Sequence, residues 1–177
     1  EAIAKDLAAQ RGKSIVLAGD HQPAAVHALA HAMNHSLGNV GQTVTHIESP
    51  EANPMDQLAS IVSLVRDIEA DKVKLLVIID ANPVYTAPAD LKFAQVLSKV
   101  PTRAHVGLYE DETAELCHWH VNKAHYLESW GDAKAHDGQI SLTQPLTEPF
   151  YSGKSVYELL SALIDETPKT SHEVLQA

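Results

Sequence analysis

The stretch Lys74-Leu75-Leu76-Val77-Ile78-Ile79-Asp80-Ala81-Asn82-Pro83-Val84-Tyr85-Thr86-Ala87-Pro88 constrains the fold more than any other. Leu75 to Ile79 is an unbroken apolar run containing β-branched residues, the pattern of a strand buried on both faces in a parallel sheet. Asp80-Ala81-Asn82-Pro83 stops it, because Pro83 has no N–H for a ladder and biases Asn82 toward extended backbone. The polar loop over 80–88 then lies just past the carboxyl end of a central strand. Open α/β sheets bind their ligands there.

Around this crest strands and helices alternate. The spacing predicts a helix over 1–10, a strand over 14–18 and a turn at Gly19-Asp20-His21-Gln22. Pro23 then suits the first position of a helix running to about Leu37. Val26, Leu29, Ala30, Met33 and Leu37 share the face expected to pack on a sheet. A second short strand is expected over 43–47, a loop over 50–54 and a helix over 56–70 with Leu58, Ile61, Val62, Val65 and Ile68 inward. After the crest come a helix over 89–99, a strand over 103–109, a helical turn over 111–115 and an alternating strand over 116–121. Residues 122–147 read as a long excursion with at most short strands, for instance 139–142. A final helix starts at Ser152 or Gly153 with Val156, Leu159, Leu160 and Leu163 inward, and the polar tail after Thr167 is expected to fray. The class is α/β, Rossmann-like, with a mainly parallel sheet flanked by helices.

A chain of 177 residues with 45% hydrophobic content fits one domain with a real core over 1–177. It opens on Glu1 in a helix-like stretch, so we expect a segment excised from a longer chain. Thirteen basic residues against 23 acidic ones give a net charge of -10, with no basic stripe, so nucleic acid and anionic membrane surfaces are not expected partners. No apolar run is long enough to span a bilayer, and no direct membrane insertion is expected. Cys117 is the single cysteine, which excludes an internal disulfide and a cysteine-ligated iron–sulfur cluster within the segment.

Eleven histidines offer candidate metal ligands. His27, His31 and His35 have the four-residue spacing with which a helix can chelate zinc, though a solvated helix flank explains them as well. In Cys117-His118-Trp119-His120 the strand alternation puts His118 and His120 on one side. With His125 and Glu128 near, they could form a nitrogen and oxygen metal site; the plainer reading is a polar strand face under the long loop. Glu110-Asp111-Glu112-Thr113 suits a helix start, with Asp111 or Thr113 as cap. Glu128 and Asp132 could act as an acid/base pair or simply hydrogen-bond within the loop. No G-x-G-x-x-G, no phosphate-binding G-x-x-x-x-G-K-[ST] and no Gly-x-Ser-x-Gly elbow occurs.

Several segments together resemble the molybdopterin oxidoreductase family. Leu75 to Pro83 with Pro88 resembles its strand–Asn-Pro crest. His35 to Gly41, containing Gly38-Asn39-Val40-Gly41, resembles its helix followed by Gly-Asn-x-Gly. Glu110-Asp111-Glu112-Thr113-Ala114 resembles its x-Glu-Thr-Ala turn. Tyr126-Leu127-Glu128-Ser129-Trp130-Gly131-Asp132, followed by Gln144-Pro145-Leu146, resembles its Leu-Glu-x-x-Gly…Gln-Pro stretch. Gly19-Asp20-His21-Gln22-Pro23 combined with Cys117 to His120 and His125 to Trp130 is narrower. It resembles the molybdopterin-oxidoreductase-like region in the large subunit of alternative complex III, a membrane-bound quinol:electron-acceptor oxidoreductase.

The resemblance implies a Rossmann-like domain bordering a dinucleotide-cofactor cleft. An occupied cleft would take a molybdopterin guanine dinucleotide lined by Asn82, Tyr85, Asn39 and Glu112. Two departures argue for a structural segment without bound cofactor. Asp80 stands where cofactor-binding members carry glycine, and a carboxylate there would repel an anion. Gln42-Thr43-Val44-Thr45 replaces a glycine-rich continuation that lets backbone approach the pterin. The expectation is therefore a non-catalytic domain of an iron–sulfur-containing electron-transfer subunit, with the clusters elsewhere in the parent chain. Its partners would be the parent's other domains and other subunits of a respiratory complex, on the periplasmic side of a bacterial inner membrane. The alternatives are half of an active molybdopterin cleft, and a metal-binding module built on His118, His120 and His125.

Overall fold

The computed structural model describes every residue except His21, Pro50, Ala52, Asp165 and Glu166. His21 of the expected 19–22 turn, and Pro50 and Ala52 of the expected 50–54 loop, thus lie outside the described residues. The chain divides into two units, residues 1–49 with 136–138, and residues 50–135 with 139–177.

The first unit carries helices α1 (Ala2–Ala9) and α2 (Ala24–Ser36). Gly38 follows α2 at φ 70°, the left-handed conformation in which glycine ends helices without a Cβ penalty. The strands expected over 14–18 and 43–47 do not form; Val44 makes only an isolated bridge to Val40. The Asn34 side chain takes the place of a ladder. Its Oδ1 accepts from the Val16 N–H at 2.9 Å, and its Nδ2 donates to the Val16 carbonyl at 2.7 Å. Thr43 Oγ1 donates to the Ser14 carbonyl in the same way. The expected inward stripe of α2 is also corrected. Val26, Leu29 and Met33 are exposed, and the buried position of the helix is Asn34. A side chain that satisfies two backbone groups has displaced the apolar face.

The second unit begins with α3 (Gln57–Glu69), capped by the Asp56 carboxylate on the Ala59 N–H. Three parallel strands follow, β1 (Leu75–Ile79), β2 (Thr102–Gly107) and β3 (Trp119–Asn122), in the order β1-β2-β3. Among the described residues β1 therefore pairs on one side only, and β2 is the central strand. The expectation of a central crest strand buried on both faces is corrected, and Leu75 is 55% exposed. Between β1 and β2 the chain makes a short helix, α4 (Pro83–Thr86), where a polar loop is expected from sequence. The helix expected over 89–99 is broken. A 3-10 turn covers Ala89–Leu91, Lys92 adopts φ 47°, and α5 spans Phe93–Leu97. Phe93, Val96 and Leu97 of α5 join Val65, Ile68, Ile78 and Val100 in the core. Each fully buried aliphatic of this kind contributes about 1.5–3 kcal/mol.

After β2, α6 (Glu112–Glu115) forms the expected turn, with the Asp111 carboxylate accepting from the Thr113 and Ala114 N–H groups. Strands β4 (Gly131–Lys134) and β5 (Ile140–Thr143) make an antiparallel hairpin within the excursion. The last long helix, α7 (Val156–Ile164), starts later than expected, where Ser155 and Glu158 cap each other reciprocally. The tail is not frayed throughout: α8 (Ser171–Gln176) is held by a capping box between Thr170 and Glu173. The architecture is thus mixed α/β with a parallel sheet and flanking helices.

Candidate functional site at the carboxyl ends of β1 and β2

The turns that leave β1 and β2 enclose a cleft of about 260 Å³ lined by Asp80, Ala81, Asn82, His105, Gly107, Leu108, Tyr109 and Asp111. Its position follows from the parallel pairing, which brings the ends of both strands to the same edge of the sheet.

Asn82 organises one wall. As N-cap of α4 its Oδ1 accepts from the Tyr85 N–H at 3.3 Å, with Pro83 supplying the first helical residue. The same Oδ1 accepts from the Thr113 hydroxyl at 2.7 Å, and Asn82 Nδ2 donates to Glu112 Oε2 at 2.6 Å. Thr113 is fully buried, and its Oγ1 also accepts from the Val84 N–H at 3.1 Å. Four residues thus join the turn after β1 to the turn after β2. The Asn82 hydrogen bond, followed by the Glu112 backbone N–H, holds the Glu112 carboxyl below its ordinary range.

Asp80 begins the other wall. Its backbone is left-handed at φ 55°, where glycine is favoured and Asp is among the better-tolerated side chains. Its N–H donates to the Val106 carbonyl at 2.8 Å. Its carboxylate does not project free but pairs with Lys123 Nζ at 2.5 Å.

The floor is His105, only 1% exposed. It is cross-strand neighbour to Ile78 and His120, so the three share one sheet face. Its ring leans toward the cleft over Gly107, where a Cβ would come within 2.6 Å of His105 Cε1. Nδ1 lies 2.9 Å from His120 Nδ1, and Nε2 lies 3.3 Å from the Ala81 carbonyl and 3.7 Å from Asp111 Oδ1. The two imidazoles stack with centroids 5.1 Å apart.

Of the expected cofactor-lining residues, the structure brings together Asn82 and Glu112. Tyr85 enters through its backbone while its side chain is 75% exposed. Asn39 belongs to the first unit, where it is fully buried and bonded to Asn34 and Ser14. The expected metal ligands do not converge. The backbone N–H of Arg103 donates to His118 Nδ1, His120 faces His105, and His125 Nδ1 accepts from the Leu127 N–H. Among the described residues no three His, Cys, Asp or Glu side chains are placed to hold a metal ion. Burial pushes the Cys117 thiol up, away from the thiolate a metal would need. Glu128 caps the loop through the His125 N–H rather than pairing with Asp132, which accepts from the Tyr157 hydroxyl. Sequence reasoning does not single out His105, Gly107, Thr113 and Lys123 as parts of this cleft. The legible signal is a histidine inside the apolar Ala104–Val106 run, two residues before a glycine.

No family model matches the chain. Over 105 residues, 57% of its length, the chain is 30% identical to the menaquinone reductase, molybdopterin-binding-like subunit of Nitratidesulfovibrio vulgaris strain Hildenborough. The match spans 15% of that protein, a small part of the curated relative. The similarity supports a relationship between this chain and molybdopterin-oxidoreductase-like proteins.

Proposed function

We propose that the chain is a Rossmann-like domain of a molybdopterin-oxidoreductase-like electron-transfer subunit in a quinone-linked respiratory complex, where it serves as scaffold rather than cofactor cleft. The similarity to a molybdopterin-binding-like subunit supports the first half of this reading. The observation that carries the second half is the Asp80–Lys123 pair. The lysine lining the turn after β3 is already engaged by a carboxylate of the crest. Asp80 and Asp111 line the cleft, and Glu112 is tied to it through Asn82. A guanine dinucleotide brings a pyrophosphate, which such a set of carboxylates repels. These residues fit that group poorly, and we derive no step through it.

The motifs Gly19 to Pro23, Cys117 to His120 and His125 to Trp130 together favour a quinol-oxidising complex of the alternative complex III kind. The relative is named for menaquinone reduction, so the direction of electron flow is part of the proposal. Iron–sulfur clusters would sit in other parts of the parent, and the complex would face the periplasm. Large apolar side chains left on the surface, such as Trp119, Phe150 and Tyr151, suit faces that pack on other domains or subunits. Among the described residues no helix is long and apolar enough to cross a membrane.

The test is elemental analysis of the full-length parent for molybdenum, tungsten, iron and zinc. Iron without molybdenum or tungsten is the expected result. Near-stoichiometric molybdenum or tungsten would overturn the scaffold reading and make the cleft half of an active site.

A further inference from the structure

The first unit has no apolar core of its own. The buried hydrophobic residues all lie between Val65 and Ala124, in the second unit. Among the described residues the first unit buries only two asparagines, Asn34 and Asn39. A unit of about 50 residues is marginal without a core, and chains of that size commonly rely on disulfides or metal ions. This one has no cysteine but several imidazoles, among them His27, His31, His35 and His46.

Two of these rings are neighbours. His31, on α2, and His46, just past the Val40–Val44 bridge, have ring centroids 5.4 Å apart, inclined at 54°. A zinc ion bound to imidazole nitrogen at about 2.0–2.1 Å lies about 3.2 Å from the ring centre, so a tetrahedral angle puts two such centres about 5.2 Å apart. The rings of His31 and His46 stand close to that separation. Both side chains are exposed, so an ion can reach them. Among the described residues each has the other as its ring partner and neither is tied up in a hydrogen bond. The segments that carry them are already pinned. Asn34, one turn after His31, holds the Val16 backbone, and the Val44 N–H, two residues before His46, donates to the Asn39 carbonyl at 3.0 Å. His31 and Val44 line one hollow of about 150 Å³. Ligands on pinned segments lose little freedom on binding.

We propose that His31 and His46 bind one zinc-like divalent cation, which braces the first unit by tying α2 to the segment after the Val40–Val44 bridge. Imidazole pairs suit zinc, copper or nickel rather than magnesium or calcium, which take oxygen ligands. Two protein ligands are in place, and among the described residues no group of three is. Water completes the coordination of so exposed an ion. The rival is a chelate that α2 makes alone, His27 with His31 or His31 with His35, at four-residue spacing. A chelate within one helix leaves the 44–46 segment untouched, whereas the His31–His46 pair joins two segments and couples metal binding to folding. The site stands whether or not the domain is a scaffold.

The test is calorimetric titration of the whole chain with zinc chloride, purified without a histidine tag and stripped with EDTA, at about pH 7.5, where free imidazole is neutral. One zinc per chain is expected to bind ahead of any weaker sites. His46→Gln should weaken that binding about tenfold or more, since it removes one of two linked ligands. The double variant His27→Gln with His35→Gln should bind as the wild type does. Amide hydrogen exchange gives the second readout: with free zinc at about 100 times Kd, exchange of α2 amides through opening of the unit should slow by up to about 100-fold in the wild type and not in His46→Gln. Binding that survives His46→Gln would overturn the proposal. So would its loss in the double variant, or zinc binding that leaves the exchange of α2 unchanged.

Discussion

Thr113→Val tests whether the cleft wall is held by hydrogen bonding or by packing. Valine matches threonine in shape, so the substitution removes the hydroxyl and little else. Two bonds go with it: the donation to Asn82 Oδ1 at 2.7 Å and the acceptance from the Val84 N–H at 3.1 Å. Asn82 Oδ1 keeps the Tyr85 N–H at 3.3 Å, but the Val84 N–H, in the first turn of α4, loses the acceptor given by Thr113. At about 1 kcal/mol for a bond made, and about 1–3 kcal/mol for a polar group left unsatisfied, the loss should be about 2–3 kcal/mol. Thr113→Ser is the counterpart. It keeps both bonds and gives up one methyl, which costs about 1 kcal/mol at a fully buried site. The assay is urea denaturation of the wild type and both variants, compared at equal m-value so that midpoint shifts report stability. Valine should be the more damaging of the two. If serine costs more than valine, methyl packing holds Thr113, and the proposed bonding between the two turns contributes nothing measurable.

Gly107→Ala places a Cβ within 2.6 Å of the buried His105 ring and should cost about 1–3 kcal/mol in denaturant, a penalty that His105→Ala in the same chain should relieve. Glu112 has a folded carboxyl value below its unfolded one, chiefly through Asn82, so its stabilising contribution is full above the unfolded value and is lost as pH falls through the folded value. Asn82→Ala removes that cause, and its stability deficit against the wild type should shrink on acidification through this window, as read from denaturation midpoints across pH.

The parts of the cleft legible in sequence are those set by local rules. Leu75–Ile79 forms β1 at the bounds its apolar run predicts, because a β-branched run closed by an Asn-Pro step has few alternatives. Asp111 caps α6, as an acidic residue before a short helical turn should. Asn82 and Glu112, 30 residues apart, both stand among the residues the family resemblance assigns to the cleft, and they meet because each follows a parallel strand. The capping box at Thr170 and Glu173 is equally local, a Thr-x-x-Glu signal in a tail expected to fray.

Sequence alone determined where β1 and α3 lie, that strands and helices mix, and that an acidic residue caps α6, since each of these shows in local patterns a few residues long. Tertiary structure decided the rest. Nothing local says that β2 rather than β1 is central, because strand order is a matter of which edges pair. Nothing local foretells that α2 turns Asn34 inward, since its partner, the Val16 backbone, is 18 residues away. The pairing of His105 with His120 needs the register of two strands, and the room for its ring needs Gly107 on the same face. The charge on Asp80 is readable in the sequence, but its pairing with Lys123, 43 residues on, is not. Periodicity and capping act over one or two turns of chain, whereas these pairings exist only once distant segments are packed side by side.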